Sequence, residues 1–198
     1  EFVYDPTPAV FDSAEALEKD FVYHDFCGSN LSKYLIKLSK LEGKTLVFLK
    51  PCDSYSFNQL LTEHRINRDN VYIIGIPCDG KLDPDTVRAS GAEGILGIST
   101  DGDTVTVDTM YGDVKLNKKD CLLERCQVCK SHKVVVYDEM LGENGEENPE
   151  SGRFDMVAKL EAMTPEERFA FWRGELSRCI RCNACRNICP ACSCEQCV

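Results

Sequence analysis

At 198 residues, 43% of them hydrophobic, the chain is long enough to bury a real core in one or two domains. A formal net charge of −10 leaves no basic footprint for nucleic acid and makes a poor match for anionic lipid. No apolar run approaches the roughly 20 residues that span a bilayer. The opening "EFVYDPTPAV" also lacks the charged and apolar regions of a signal peptide. A cytoplasmic setting without membrane insertion is therefore the expectation.

In chain order, a helix is expected around "SAEALEKDFV". "KTLVFL", from Lys44 to Leu49, reads as a buried strand that breaks at "KPCDS". "SFNQLLTEHRI" then sets Phe57, Leu60, Leu61 and His64 at helical spacing. A second strand, "VYIIGI", breaks at "PCDG". Strands alternating with a helix predict a parallel α/β sheet. The two strand ends, Pro51-Cys52-Asp53 and Pro77-Cys78-Asp79, look like a small internal echo.

From Gly91 the pattern changes to short strands with tight turns: "GILGIST", "TVTVDTMYG" and "VKL". "KVVVYDEM" is expected to be a further strand. Asp138 to Gly152 holds six carboxylates, three glycines and one proline with no basic residue, and reads as an exposed linker. Thr164, Pro165 and Glu167 spell a helix start. The helix behind it sets Phe169, Trp172 and Leu176 on one face and delivers the chain to Cys179; Trp172 is expected to anchor a core beside that loop. The domains expected are an open α/β domain over 1–139, an acidic linker over 140–152, and a helical ferredoxin-like segment over 153–198, an α/β (α+β) fold class overall.

Thirteen cysteines, an odd number, fit a disulfide framework badly in a reducing compartment and suit metal ligation. Cys179, Cys182, Cys185 and Cys189, followed by Pro190, form C-x2-C-x2-C-x3-C-P, the run of bacterial ferredoxins. Thiolates two residues apart let one tight loop wrap three corners of a cubane, with backbone N–H groups pointing at sulfide. Cys189 then faces a different cluster. Cys192, Cys194 and Cys197 are candidates for the missing fourth ligand, Cys197 having the reach to fold back. Structural zinc prefers two paired knuckles across a longer loop and fits this run poorly.

Cys121, Cys126 and Cys129 make a second three-cornered set, C-x4-C-x2-C, which Cys78 or Cys189 could complete. A zinc knuckle with His132 is the alternative there. Cys27 and Cys52 taken alone read as buried inert thiols. Cys52 and Cys78, however, both end a strand, where open α/β sheets place ligands, which makes them candidate ligands too. Two [4Fe–4S] clusters are expected and three are the ceiling. No nucleotide loop, nucleophile elbow or other catalytic constellation is visible.

The runs "DFCGSNLSKYL", "LVFLKPCDSYSFNQLLTEHRINRDNVYIIGIPCDG", "CQVCKSHKVVVYDEM" and "CIRCNACRNICPACSCEQC" together resemble the iron–sulfur/flavin β subunits of coenzyme F-420-dependent hydrogenases and formate dehydrogenases. They are especially similar to the dicluster relatives that accompany heterodisulfide reductase-like and hydrogenase-like complexes in anaerobes. The resemblance covers nearly the whole chain and matches Cys27, Cys52, Cys78, Cys126 and Cys129 to the family's interior pattern and Cys179 to Cys189 to its ferredoxin-type motif. It implies an electron conduit between a partner enzyme and a flavin. The expectation is thus an iron–sulfur redox subunit of a larger oxidoreductase rather than a self-sufficient enzyme, working with other subunits, a flavoprotein or a ferredoxin. FAD is a candidate cofactor for which the sequence has no motif. The rival readings are a flavin-dependent catalytic subunit and a zinc-stabilised interaction module.

Overall fold

The computed structural model describes residues 2–194. Helix α1 (Ala14–Asp20) opens with Ser13, whose side chain accepts the Ala16 N–H at 3.3 Å. A 3-10 turn at Ser32–Tyr34 runs into the short α2 (Leu35–Leu38). Strand β1 (Thr45–Leu49) leads straight into α3 (Pro51–Thr62), which returns the chain to β2 (Val71–Gly75). β1 and β2 pair in parallel, Thr45 opposite Val71 through Leu49 opposite Gly75. Their inward side chains, Val47, Leu49, Val71 and Ile73, pack on Leu35, Phe57, Leu60 and Ile66 to form one core.

Helix α4 (Pro84–Ala89) precedes an antiparallel meander of β3 (Ile95–Asp101), β4 (Thr104–Thr109) and β5 (Val114–Asn117). Alternation along β4 turns Val105 and Val107 inward, onto Phe26, Leu82, Val87, Ala92, Ile95 and Cys121, which make a second core. Helix α5 (Glu124–Gln127) comes next, and β6 (Glu139–Met140) adds to the free side of β2 in parallel, giving the order β1-β2-β6. The chain is therefore mixed α/β, with one parallel and one antiparallel sheet. Beyond β6 the described residues form α6 (Asp155–Glu161), α7 (Pro165–Leu176) and α8 (Ala184–Ile188). α7 has the expected start: Glu167 N–H donates to Thr164 Oγ1 at 3.3 Å, and Thr164 N–H donates back to Glu167 Oε2 at 2.9 Å.

Two local readings differ from the structure, and the acidic stretch, exposed as expected, carries specific contacts. Of "KVVVYDEM" only Glu139–Met140 is strand. The Val134 N–H and carbonyl are taken by the Asn144 side chain at 2.8 and 2.9 Å, and Val135 N–H by Ser54 Oγ at 3.0 Å, so side chains replace a ladder. The acidic stretch 140–152 is tied down by those bonds, by Asn148 N–H to the Lys130 carbonyl at 2.8 Å, and by a hydrogen bond from Tyr55 to Glu147. Gly145 lies so close to His132 that a Cβ would stand 2.4 Å from the His132 carbonyl oxygen. Trp172 anchors no core: it is 47% exposed, edge-on to Phe171, in a surface groove with Phe169 and Leu176.

The terminal segment rests on the α3 side of the molecule. Lys33 Nζ donates to the carbonyls of Arg186 and Cys189 at 2.6 and 3.0 Å. Arg65 Nη2 donates to the Ser193 carbonyl at 2.6 Å, and Ser193 Oγ donates to Glu63 at 2.6 Å. No described helix is long and apolar enough to cross a membrane.

Candidate metal centre

The carboxyl ends of β1 and β2 carry Cys52 and Cys78. Leu49 ends β1, and Pro51, with its fixed φ and no N–H to lose, starts α3 at once, so Cys52 sits in the first helical turn. Asp53, at the third helical position, reaches back to accept the Lys50 N–H at 3.2 Å and Lys50 Nζ at 2.7 Å. After β2 there is no helix. Pro77-Cys78-Asp79 is loop, and Gly80 at φ 118° turns the chain in a region that favours glycine. The echo between the two Pro-Cys-Asp units thus holds for their place at a strand end and not for the structure each one starts.

Three further segments close on these ends. Cys27 belongs to the turn after α1, where its sulfur accepts the His24 N–H at 3.3 Å. Cys126 and Cys129 come from α5 and its exit; the Cys129 thiol donates to the Ser131 carbonyl at 3.7 Å. His132 Nδ1 lies 3.2 Å from the Cys78 carbonyl oxygen, which can only accept, so Nδ1 carries the proton in that contact. Arg125 Nη2 binds the Gly28 carbonyl at 2.9 Å and fixes α5 against the Cys27 turn.

The electrostatics register these thiols as neighbours. Burial pushes the Cys52 thiol up to about 12, with Asp53, Cys78 and Cys129 adding to the rise and Lys50 opposing it. The residue presents surface to solvent, yet its sulfur is crowded enough for burial to dominate. Burial also raises Cys78, whereas the Gly80 N–H, Lys81 and Lys50 pull it down and Cys126 pushes it up. Tyr23, raised chiefly by burial, is raised further by Cys78 and Cys27. Burial lifts the Asp53 carboxyl against the pull of Lys50.

Among the described residues no three His, Cys, Asp or Glu side chains stand at metal-binding geometry. The donor types nonetheless suit an iron–sulfur cluster: Cys52 and Cys78 follow the two parallel strands, Cys78 and Cys129 act on the Cys52 thiol and Cys126 on the Cys78 thiol, and Lys50 and Lys81 act against them. His132 faces the Cys78 backbone by one nitrogen, which leaves Nε2 for any zinc knuckle.

Cys121 is turned away from this group. It is 2% exposed in the second core, and its polar neighbours are Ser90, Asp120 and Asp83. The sequence spacing that joined it to Cys126 and Cys129 begins at the last residue of the 3-10 turn Lys118–Cys121, whose side chain is buried.

In the terminal loop Cys179, Cys182 and Cys185 are exposed and Cys189 is partly covered. Arg181 and Asn183 adopt left-handed backbone, φ 58° and 61°, on either side of Cys182. Such residues turn successive N–H groups to one side and are uncommon without glycine. The Arg181 N–H already donates to Cys179 Sγ at 3.4 Å. This loop suits an anionic sulfur cluster. Cys197 lies outside the described residues.

Sequence reasoning missed Lys50, Lys81 and Tyr23. A signal was present, because each Pro-Cys-Asp has a lysine close by, one before and one after.

No protein-family model matches the chain. It is similar to the F420-dependent formate dehydrogenase subunit beta of Methanocaldococcus jannaschii, 23% identical over 254 aligned positions that cover all of this chain and 67% of the relative. It is also similar to the F420-dependent formate dehydrogenase 1 subunit beta of Methanococcus maripaludis, 24% identical over 258 positions, covering 98% of this chain and 66% of the relative. The chain thus spans about two thirds of the length of these curated relatives. Among solved structures, a chain of the F420-reducing [NiFe] hydrogenase complex from Methanosarcina barkeri overlaps 66% of this chain and 54% of its own length, at 13% identity and a TM-score of 0.40.

Proposed function

We propose, from the premise that the chain belongs to the β-subunit-like family of coenzyme F-420-dependent hydrogenases and formate dehydrogenases, that it is an iron–sulfur electron-transfer subunit of a multisubunit oxidoreductase. What supports this reading is the position of Cys52 and Cys78 just after the two parallel strands, with Cys78, Cys129 and Lys50 acting on the Cys52 thiol and Cys126, Lys50 and Lys81 acting on the Cys78 thiol. A cluster bound there would accept and release single electrons. The chain's own part is to supply thiolates, to exclude water with the surrounding segments, and to aim N–H groups and ammonium ions at sulfur. The ferredoxin-type loop, Cys179 to Cys189, is the second site, docked on the first domain through Lys33. Electrons are exchanged with other subunits of the complex, with a flavoprotein or a ferredoxin as partner.

The test is iron, zinc, acid-labile sulfide and flavin per chain in protein purified without oxygen. About eight irons with equal sulfide are expected, from two cubanes. Zinc without sulfide would replace this reading with a zinc-stabilised interaction module. Stoichiometric flavin would move the chain to a flavin-dependent catalytic subunit acting on a soluble coenzyme.

A further inference from the structure

Helix α7 buries none of its residues. Phe169, Trp172 and Leu176, spaced by three and four, stand along one side of it at 69, 47 and 68% exposure. Ile180, just beyond its end, is 84% exposed. Arg173 and Ser177 border the same surface groove as the three apolar side chains. A helix of this length is marginal in water by itself, and its stability normally comes from covering its apolar face. A capping box orders the start of α7, while the described residues leave its apolar side open to solvent.

The charge at this place is opposite to that of the chain. From Arg168 to Arg186 there are five arginines and one carboxylate, Glu175, a local +4 within a chain of −10 that leaves −14 for the remainder. Two of the arginines are occupied. Arg168 donates to the carbonyls of Leu160, Glu161 and Met163 at 2.9, 3.0 and 3.1 Å, and Arg178 pairs with Glu175. Among the described residues, the side chains of Arg173, Arg181 and Arg186 make no hydrogen bond or ion pair. Arg173 is thus a cation without a counter-ion there, in the groove itself and next to Trp172.

We propose that the α7 groove is the docking surface for a partner protein that presents an apolar ridge flanked by carboxylates. Trp and Arg are enriched at the buried centre of protein contacts, and here they stand side by side. Charge selects the partner. An acidic surface is attracted to this face and repelled by the acidic remainder of the chain, which directs it to the groove. A second copy of this chain fits worse, because a two-fold axis through the groove would set the arginines against themselves. α7 leads within three residues to Cys179, so a partner seated here lies beside the start of the ferredoxin-type loop. The inference rests on the reading of the chain as a subunit that works with others, and it needs no particular metal at the thiols.

The experiment uses Trp172, the single tryptophan of the chain, as its reporter. The full chain, purified without oxygen, is titrated with a synthetic amphipathic helical peptide of leucine and glutamate, and with the same peptide carrying lysine for glutamate. A saturable blue shift of Trp172 emission is expected with the glutamate peptide, at an affinity about tenfold above that of the lysine peptide. Arg173→Glu should cancel that preference, weakening the glutamate peptide and strengthening the lysine one, an opposite movement that mere loosening of α7 cannot produce. Leu176→Ser should weaken the glutamate peptide about tenfold. Equal affinity for the two peptides in wild type marks a surface that is only apolar and overturns the proposal. Emission moved by neither peptide, or a preference unchanged in Arg173→Glu, overturns it as well. A blue shift that follows chain concentration without peptide, with dimers in sedimentation, assigns the groove to a second copy and overturns it too. Iron and sulfide measured on the same samples test the electron-transfer reading separately, because peptide binding is read without them.

Discussion

Asn144 grips Val134 by both of its backbone groups: the Val134 N–H donates to Asn144 Oδ1 at 2.8 Å and Asn144 Nδ2 donates to the Val134 carbonyl at 2.9 Å. Val134 is 1% exposed, so neither group has water to turn to. Asn144→Ala should therefore cost about 2 kcal/mol, the penalty of stranding buried polar groups. Urea unfolding measures it, and cleavage by a glutamate-specific protease between Glu143 and Glu150 should accelerate in parallel. A midpoint equal to wild type would mean that the acidic segment is not held by this pair.

A different substitution loosens the same segment from the backbone side. In Gly145→Ala the new Cβ would meet the His132 carbonyl oxygen at 2.4 Å, and because that atom is backbone the chain itself must move. Faster proteolysis of 143–150 is expected, with the first core left intact. Unchanged proteolysis would show that the approach relaxes without cost.

The cysteines should separate into two kinds. Cys78→Ala and Cys129→Ala are each expected to lower iron and sulfide by about four per chain. Cys121→Ala should leave both unchanged and lower stability by about 1 kcal/mol through the small cavity it opens in the second core. Loss of iron in Cys121→Ala would put that thiol back among the ligands.

Asp138 carries a pH dependence of known sign. Its hydrogen bond from Arg68 at 2.6 Å, followed by that from the Ile73 N–H at 2.7 Å, holds the carboxyl below its usual range. A depressed folded value means stability that is fully present above the unfolded value, near 3.9, and is lost as pH falls through the folded one. Wild type should exceed Asp138→Asn in urea midpoint at pH 6, and the difference should shrink as pH drops below about 4. A difference that persists at pH 2 to 3 would assign the effect to shape instead of charge.

How far the sequence could be read depended on where each residue finds its partner. β1, β2 and the β3–β5 meander arise from apolar runs and Asp-Gly turns, and α7 from its capping box, because those signals act over a few residues. The stretch from Lys133 to Tyr137 misled because its strand-forming side chains say nothing about Asn144 and Ser54, which claim its backbone from a distance. Cys121 misled because spacing groups it with Cys126, while its side chain is buried at the end of the 3-10 turn Lys118–Cys121. Likewise, the burial of Lys81 depends on Asp25 and Tyr23, 56 and 58 positions earlier, and no local pattern carries it.

The Lys33 clasp on the terminal loop has a consequence for the order in which the molecule assembles. Its two hydrogen bonds join positions 153 and 156 apart, whereas Asn30 to Ser56 in the same neighbourhood spans 26. Closing the longer loop costs about 1.6 kcal/mol more in chain entropy. The clasp is therefore expected to close only after the α3 surface has formed, which would leave the thiols of the ferredoxin-type loop undocked while the first core assembles.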